Sequence, residues 1–162
     1  MATVERAPAG VERGADLERL YRDQGAKMWH AVLAFAGDPE VASDAVAETF
    51  AQLLRRGDDV REPERWVWRT VFRIAAGILH ERSRSGAPAA EGAYLMNEPA
   101  AELVTALAML SEKQRMAVVL HYAVGHPIRD VARMIDSTPG AVKIHLLRAR
   151  RRLRELLKDD GV

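Results

Sequence analysis

The stretch VKIHLLRARRRLREL, Val142 to Leu156, holds the densest charge in the chain. Lys143, Arg148, Arg150, Arg151, Arg152, Arg154 and Lys158 face one carboxylate, Glu155, in a protein of 162 residues with a formal net charge of only +1. Cations clustered on a helix neutralise phosphates, and Arg or Lys can reach guanine edges in a major groove. A second basic pattern is Arg65, Arg69 and Arg73, continued by His80, Arg82 and Arg84, with Trp66 and Trp68 interleaved. Aromatic faces that stack on bases, beside cations that hold the backbone, suit single-stranded nucleic acid. Trp66 falls on an apolar stripe and is expected in the core; Trp68 is ambiguous and is placed with the basic residues. A third pattern is acidic: Asp44, Glu48 and Gln52 lie four apart and share one helix face. Paired carboxylates also serve acid–base or metal chemistry, but no His or third carboxylate stands at ligand spacing. The five histidines are dispersed and are read as structural or surface residues, so no metal or cofactor is expected.

These side chains need helices to place them. Leu17, Leu20, Tyr21, Met28, Val32 and Phe35 recur at spacings of three and four, and Gly37 stops that helix. Asp38-Pro39 is an N-cap followed by proline where its missing N–H costs nothing. The apolar stripe of the next helix ends at Gly57, and Glu62-Pro63 starts a third. Residues 1–14, with Pro8, Gly10 and Gly14, read as a mobile arm. Residues 85–101 are rich in Gly, Pro and Ala and read as a linker, in which Tyr94, Leu95 and Met96 are candidates for local packing or a partner contact. Beyond it, Ser111 and Gln114 form a capping box, Gly125-His126-Pro127 breaks the chain, and Thr138-Pro139 opens a long last helix. No alternating strand pattern of useful length is present. The expected fold is all-α, with helical domains at 15–84 and 102–158 joined by a flexible tether.

A short helix, a tight turn and a longer basic helix make a helix-turn-helix. Ala132 is the small residue required where the two helices cross, and Asp136 stands where glycine usually takes the left-handed turn. Val142, Leu146, Ala149 and Leu153 supply the buried face. Lys143, Ile144, Leu147, Arg148, Arg151 and Arg152 are left outside, with Thr138 at the helix start and His145 between them. A basic helix C-terminus also offsets the macrodipole, but the turn and the crossing alanine weigh toward DNA. Ile144 and Leu147 fit thymine methyls or another protein equally.

The order GDP…D-x-V-x-E-T-F, W-x-x-R-x-x-x-R-I-A, L-x-x-L-S-E-K-Q-R-x-x-x-x-L-x-Y and G-A-V-K-x-x-L-x-R-A-R resembles bacterial sigma factors of the extracytoplasmic-function type. The resemblance covers about residues 16–84 and 103–157. It implies a protein without catalytic activity that binds core RNA polymerase and directs initiation at promoter DNA. Asp44, Glu48, Thr49 and Gln52 would then dock on the polymerase. Arg65, Trp68, Arg69, Arg73, His80 and Arg82 would face the minus-ten element. Thr138, Lys143, Ile144, His145, Leu147, Arg148, Arg151 and Arg152 would face the minus-thirty-five element. The resemblance also implies an anti-sigma factor as a partner, and Ile144, Leu147 and Tyr94 to Met96 are where its contacts are expected. Two positions depart from the family pattern: Ala76-Gly77 stand where many relatives have Arg-Asn, and Ile144-His145 where many have Ser-Arg. Other readings of the residues are a stand-alone helix-turn-helix regulator and a sigma-derived interaction protein that no longer reads promoters. No apolar run approaches the ~18 residues that cross a bilayer, and the N-terminus lacks a secretory apolar core, so a cytoplasmic protein without membrane insertion or small-molecule substrate is expected.

Overall fold

The computed structural model describes residues 9–87 and 96–158. All regular structure among these residues is helical. Helices α1 (Ala9–Ala36), α2 (Pro39–Arg56) and α3 (Pro63–Ser85) pack on one another as a first module. Helices α4 (Glu98–Ala108), α5 (Glu112–Val118), α6 (Ile128–Met134) and α7 (Pro139–Lys158) make the second. No described helix is long and apolar enough to cross a membrane.

The helix starts follow the capping chemistry of the sequence. The Asp38 carboxylate accepts from the Glu40 N–H at 2.8 Å. Ser111 and Gln114 satisfy each other's backbone N–H groups reciprocally. Thr138 Oγ1 accepts from the Ala141 N–H at 3.2 Å. Replacing Thr138 with alanine is expected to cost about 1 kcal/mol, read as a lower urea midpoint with an unchanged slope.

Three boundaries differ from the sequence expectation. Helix α4 begins at Glu98, inside the expected linker 85–101, where Asn97 caps it by accepting from the Ala100 N–H at 3.1 Å. Helix α1 begins at Ala9, so residues 9–14 are helical and not part of an arm. Gly10 and Gly14 each cost about 1 kcal/mol against alanine, but strong helix formers surround them. Arg13 also pairs with Asp58 in the turn Gly57–Asp59, tying the first turns of α1 to the end of α2. The third difference is at α5, which runs on as a π turn, Val119–Val124, before Gly125 closes it with φ 91°. The linker residues Tyr94 and Leu95 lie outside the described residues, and Met96 is half-buried.

The two modules do not stand apart. Helix α1 lies against both α4 and the π turn, and α3 lies against α6. Buried side chains of both modules form one continuous cluster. Arg115 of α5 donates to the Phe35 carbonyl at 3.0 Å, and its guanidinium lies 4.5 Å from the centre of the Phe35 ring. Gly37 is required twice over: its φ is 68°, and a Cβ there would lie 3.2 Å from Val104 Cγ1 of α4. Gly77, by contrast, has an ordinary helical backbone, and an added Cβ would meet nothing within 4 Å. Gly77→Ala is therefore expected to stabilise the fold by roughly 0.5–1 kcal/mol, seen as a higher denaturation midpoint.

Candidate nucleic-acid interface

The helix-turn-helix is built as its residue types require. Ala132 and Val142 are buried at the crossing of α6 and α7. Asp136 is the sole non-glycine residue with positive φ, 51°, among the described residues. Ser137 N–H donates to the Ala132 carbonyl at 2.8 Å, closing the turn. Val142, Leu146 and Ala149 are buried and Leu153 is half-buried, so the inward face matches the spacing of four, three and four. Thr138, Lys143, Arg148, Arg151 and Arg152 are exposed on the other face. Ile144 is 50% exposed and Leu147 60%, an apolar pair between cations. Arg152 has a loose pairing with Glu155 at 3.5 Å; Lys143, Arg148 and Arg151 have no ion pair among the described residues. A row of cations without internal partners is free to meet phosphate.

His145 is placed differently. Its ring is half-buried and its Nδ1 is enclosed without a hydrogen-bond partner. Burial, then the charges of Lys113 and Arg148, push its pKa below the usual histidine value. It packs toward α5 and is not part of the free basic face.

The basic side of α3 is largely engaged. Arg65 pairs with Glu62 at 2.6 Å, and His80 Nε2 lies 2.7 Å from Glu112. Arg69 pairs at 2.6 Å with Asp136, the turn residue of the helix-turn-helix. Arg73 is exposed and has no ion pair among the described residues. Arg82 reaches back across the module to Asp38, the cap of α2, and to Glu40 at 3.0 Å. It is a brace between α2 and α3, not a free cation.

Trp66 packs against the core as expected, and Trp68, placed with the basic residues, turns out to be the more deeply buried of the two. Trp68 is 0% exposed and Trp66 is half-buried with Arg56 5.8 Å from its ring centre. Trp68 donates from Nε1 to Gln24 Oε1 at 3.2 Å and meets the His126 ring edge-on at 5.0 Å. It is a core residue in this arrangement and offers no face to a base.

On α2, Asp44 is exposed while Glu48 and Gln52 are half-buried. Gln52 and Arg55 both donate to Glu48 Oε1 at 2.9 Å. Those two hydrogen bonds, that of Gln52 first, hold the Glu48 carboxyl below its usual pKa. Thr49 is fully buried and its hydroxyl donates to the Ala45 carbonyl at 2.7 Å, so it cannot touch a docked protein. Thr49→Val is expected to leave polymerase affinity unchanged in a pull-down titration, where loss of binding would return Thr49 to the surface. Among the described residues no three His, Asp or Glu gather to hold a metal ion.

Comparison with known proteins now joins the geometry. Residues 100–153, which contain the helix-turn-helix, match the family described as Sigma-70, region 4. Over 99% of its length the chain is 27% identical to an extracytoplasmic-function (ECF) RNA polymerase sigma factor, BldN of Streptomyces coelicolor, covering 67% of that protein. The chain is similar to an ECF sigma factor along nearly its whole length, and its second module to sigma-70 region 4. Two solved structures share the architecture above. The structure of CnrH in complex with the cytosolic domain of CnrY superposes with a TM-score of 0.77 at 22% identity, covering 94% of each chain. The sigma factor RpoE in complex with the anti-sigma factor NepR, from Bartonella quintana, superposes with a TM-score of 0.74 at 22% identity, covering 88% of this chain and 97% of that one.

Proposed function

We infer that this chain is an alternative sigma factor, which binds core RNA polymerase and directs promoter-specific transcription initiation. The observation that carries the reading is the exposed, unpaired cationic face of α7 on a region 4 helix-turn-helix, in a chain whose other module presents an acidic helix face. Lys143, Arg148 and Arg151 would hold the minus-thirty-five duplex, with Ile144 and Leu147 at the level of base methyls. Arg65, Arg69 and Arg73 on α3 would serve the minus-ten region, and Asp44 with Glu48 would meet basic side chains of the polymerase. The domains assigned are 15–84 and 102–158. Such a protein carries out no catalysis and needs no cofactor, since its work is positioning, and it acts in the cytoplasm where the polymerase is. Of the two similar solved structures, CnrH is in complex with the cytosolic domain of CnrY and the sigma factor RpoE with the anti-sigma factor NepR. By likeness, this chain too would have an anti-sigma partner, with Ile144 and Leu147 as exposed apolar contacts.

The test is run-off transcription from genomic fragments with core polymerase, with and without the protein. Specific transcripts that depend on it are expected. Core binding without any transcript would instead support a sigma-derived interaction protein. No core binding at all, with a symmetric footprint on free DNA, would support a stand-alone regulator.

A further inference from the structure

The two faces assigned to DNA lie in one closed arrangement. Arg69 of α3 is paired with Asp136 of the helix-turn-helix, and Trp68 is covered by His126. Promoter elements named for positions ten and thirty-five are about 25 base pairs apart, or about 85 Å of duplex at about 3.4 Å per pair. A globule of this length has a radius of gyration of only about 15 Å. Closed modules cannot span that distance, so the contact between them must release before both elements are read.

We propose that His126 is a proton-operated latch on this contact: neutral, it seals α6 against α3 and α1, and protonated, it lets the modules part. The ring packs edge-on to Trp68, whose own indole N–H is anchored to Gln24 of α1. The His126 backbone carbonyl is fixed 2.8 Å from His121 Nδ1, so the ring has a set position. Its Nε2 is enclosed and has no hydrogen-bond partner. A second proton would therefore place a charged N–H where nothing accepts it. The cleft that His126 lines is also lined by Glu62, Glu64 and Arg65 from α3 and its cap and by Asp130 from α6; His121 meets the His126 backbone carbonyl, and α1 contributes the neutral Gln24, which holds Trp68. Arg65 is already paired with Glu62. Glu64 and Asp130 favour the proton, and an imidazolium beside indole recovers some attraction, but burial is the larger effect and the ring's pKa is lowered.

The sign follows from that direction. In the open state the ring returns to its ordinary value, near 6.5. The closed state therefore binds the proton less well than the open state. Closure is fully favoured above about pH 6.5 and is lost progressively as the pH falls below it, ten-fold in the closed-to-open ratio for each unit by which the two pKa values differ.

This regulation would gate the DNA faces of the proposed sigma factor and rests on that reading only for its consequence. The latch itself is tested without polymerase or DNA. The chain has no cysteine, so Ala47→Cys on α2 and Arg150→Cys on α7, both exposed, give two unique dye sites in the full-length protein. Energy transfer between them is expected to fall between about pH 7.5 and about pH 5.5 while far-ultraviolet circular dichroism stays constant. With His126→Phe, which keeps a ring and cannot take a proton, transfer should stay high throughout; His126→Gln serves if the phenylalanine variant does not fold. A pH-independent signal in the parent, or an equal fall in the variants, would overturn the proposal while leaving the transcription result untouched.

Discussion

Trp68→Ala is expected to lose about 3–5 kcal/mol of folding stability, the range for removing a fully buried large aromatic side chain. The ring is 0% exposed and belongs to the core formed with Val67, Val71 and Phe72. Its removal opens a cavity where α1, α3 and α6 meet, and leaves Gln24 Oε1 without its indole donor. Trp68→Phe keeps most of the volume and loses the hydrogen bond, so about 1–2 kcal/mol is expected. Trp66→Ala, from a half-buried ring that Arg56 lies across, should cost less than Trp68→Ala. Urea denaturation of the three variants ranks them. If Trp68 instead stacked on bases, its alanine variant would keep the parent midpoint and lose affinity for single-stranded DNA.

The deep burial of Trp68 marks where the sequence stops being readable. Residues two apart on a helix point about 200° from each other, so Trp68 enters the core while Trp66 packs against its edge. Local spacing favoured Trp66 because it continues the stripe of α3. Trp68 is covered from α1 through Gln24 and from the second module through His126, and no pattern within α3 announces the latter. The same holds for Arg82, whose partners Asp38 and Glu40 sit more than forty residues away. Thr49 carried a motif position but its hydroxyl turns back to its own helix. His126 read as part of a helix break, while its packing role depends on the side chain it meets across the interface.

Features set within a few residues were legible. Asp38, the Ser111–Gln114 box, Thr138-Pro139 and the left-handed Asp136 all act where their types dictate, because capping and turn chemistry are local. The inward face of α7 was legible for the same reason: a 3.6-residue period fixes which side chains share a side. The exposed face follows as its complement, apart from His145, which sits at the border and leans toward α5.

The second large effect is expected on that exposed face. Lys143→Ala combined with Arg148→Ala should abolish specific run-off transcripts and leave core polymerase binding intact. Both side chains are exposed, unpaired within the described residues, and about one and a half helical turns apart on the outward side of α7. Neither contributes to the core, so thermal stability should match the parent. A phosphate contact and a base contact weaken in different ways. Each lost phosphate contact lowers the slope of log affinity against log salt by about 0.9 and weakens all sequences alike. A lost guanine contact relaxes preference at one base pair by roughly ten-fold or more. Measuring promoter affinity of the reconstituted holoenzyme for each single variant across a salt series therefore assigns a role to each cation. Lys27 is exposed on α1, away from α7, and has no ion pair among the described residues, which makes Lys27→Ala the matched control for loss of charge. Transcription that falls as much with Lys27→Ala as with either single variant would show that only total charge matters, and α7 would then be an electrostatic anchor and not a reader of sequence.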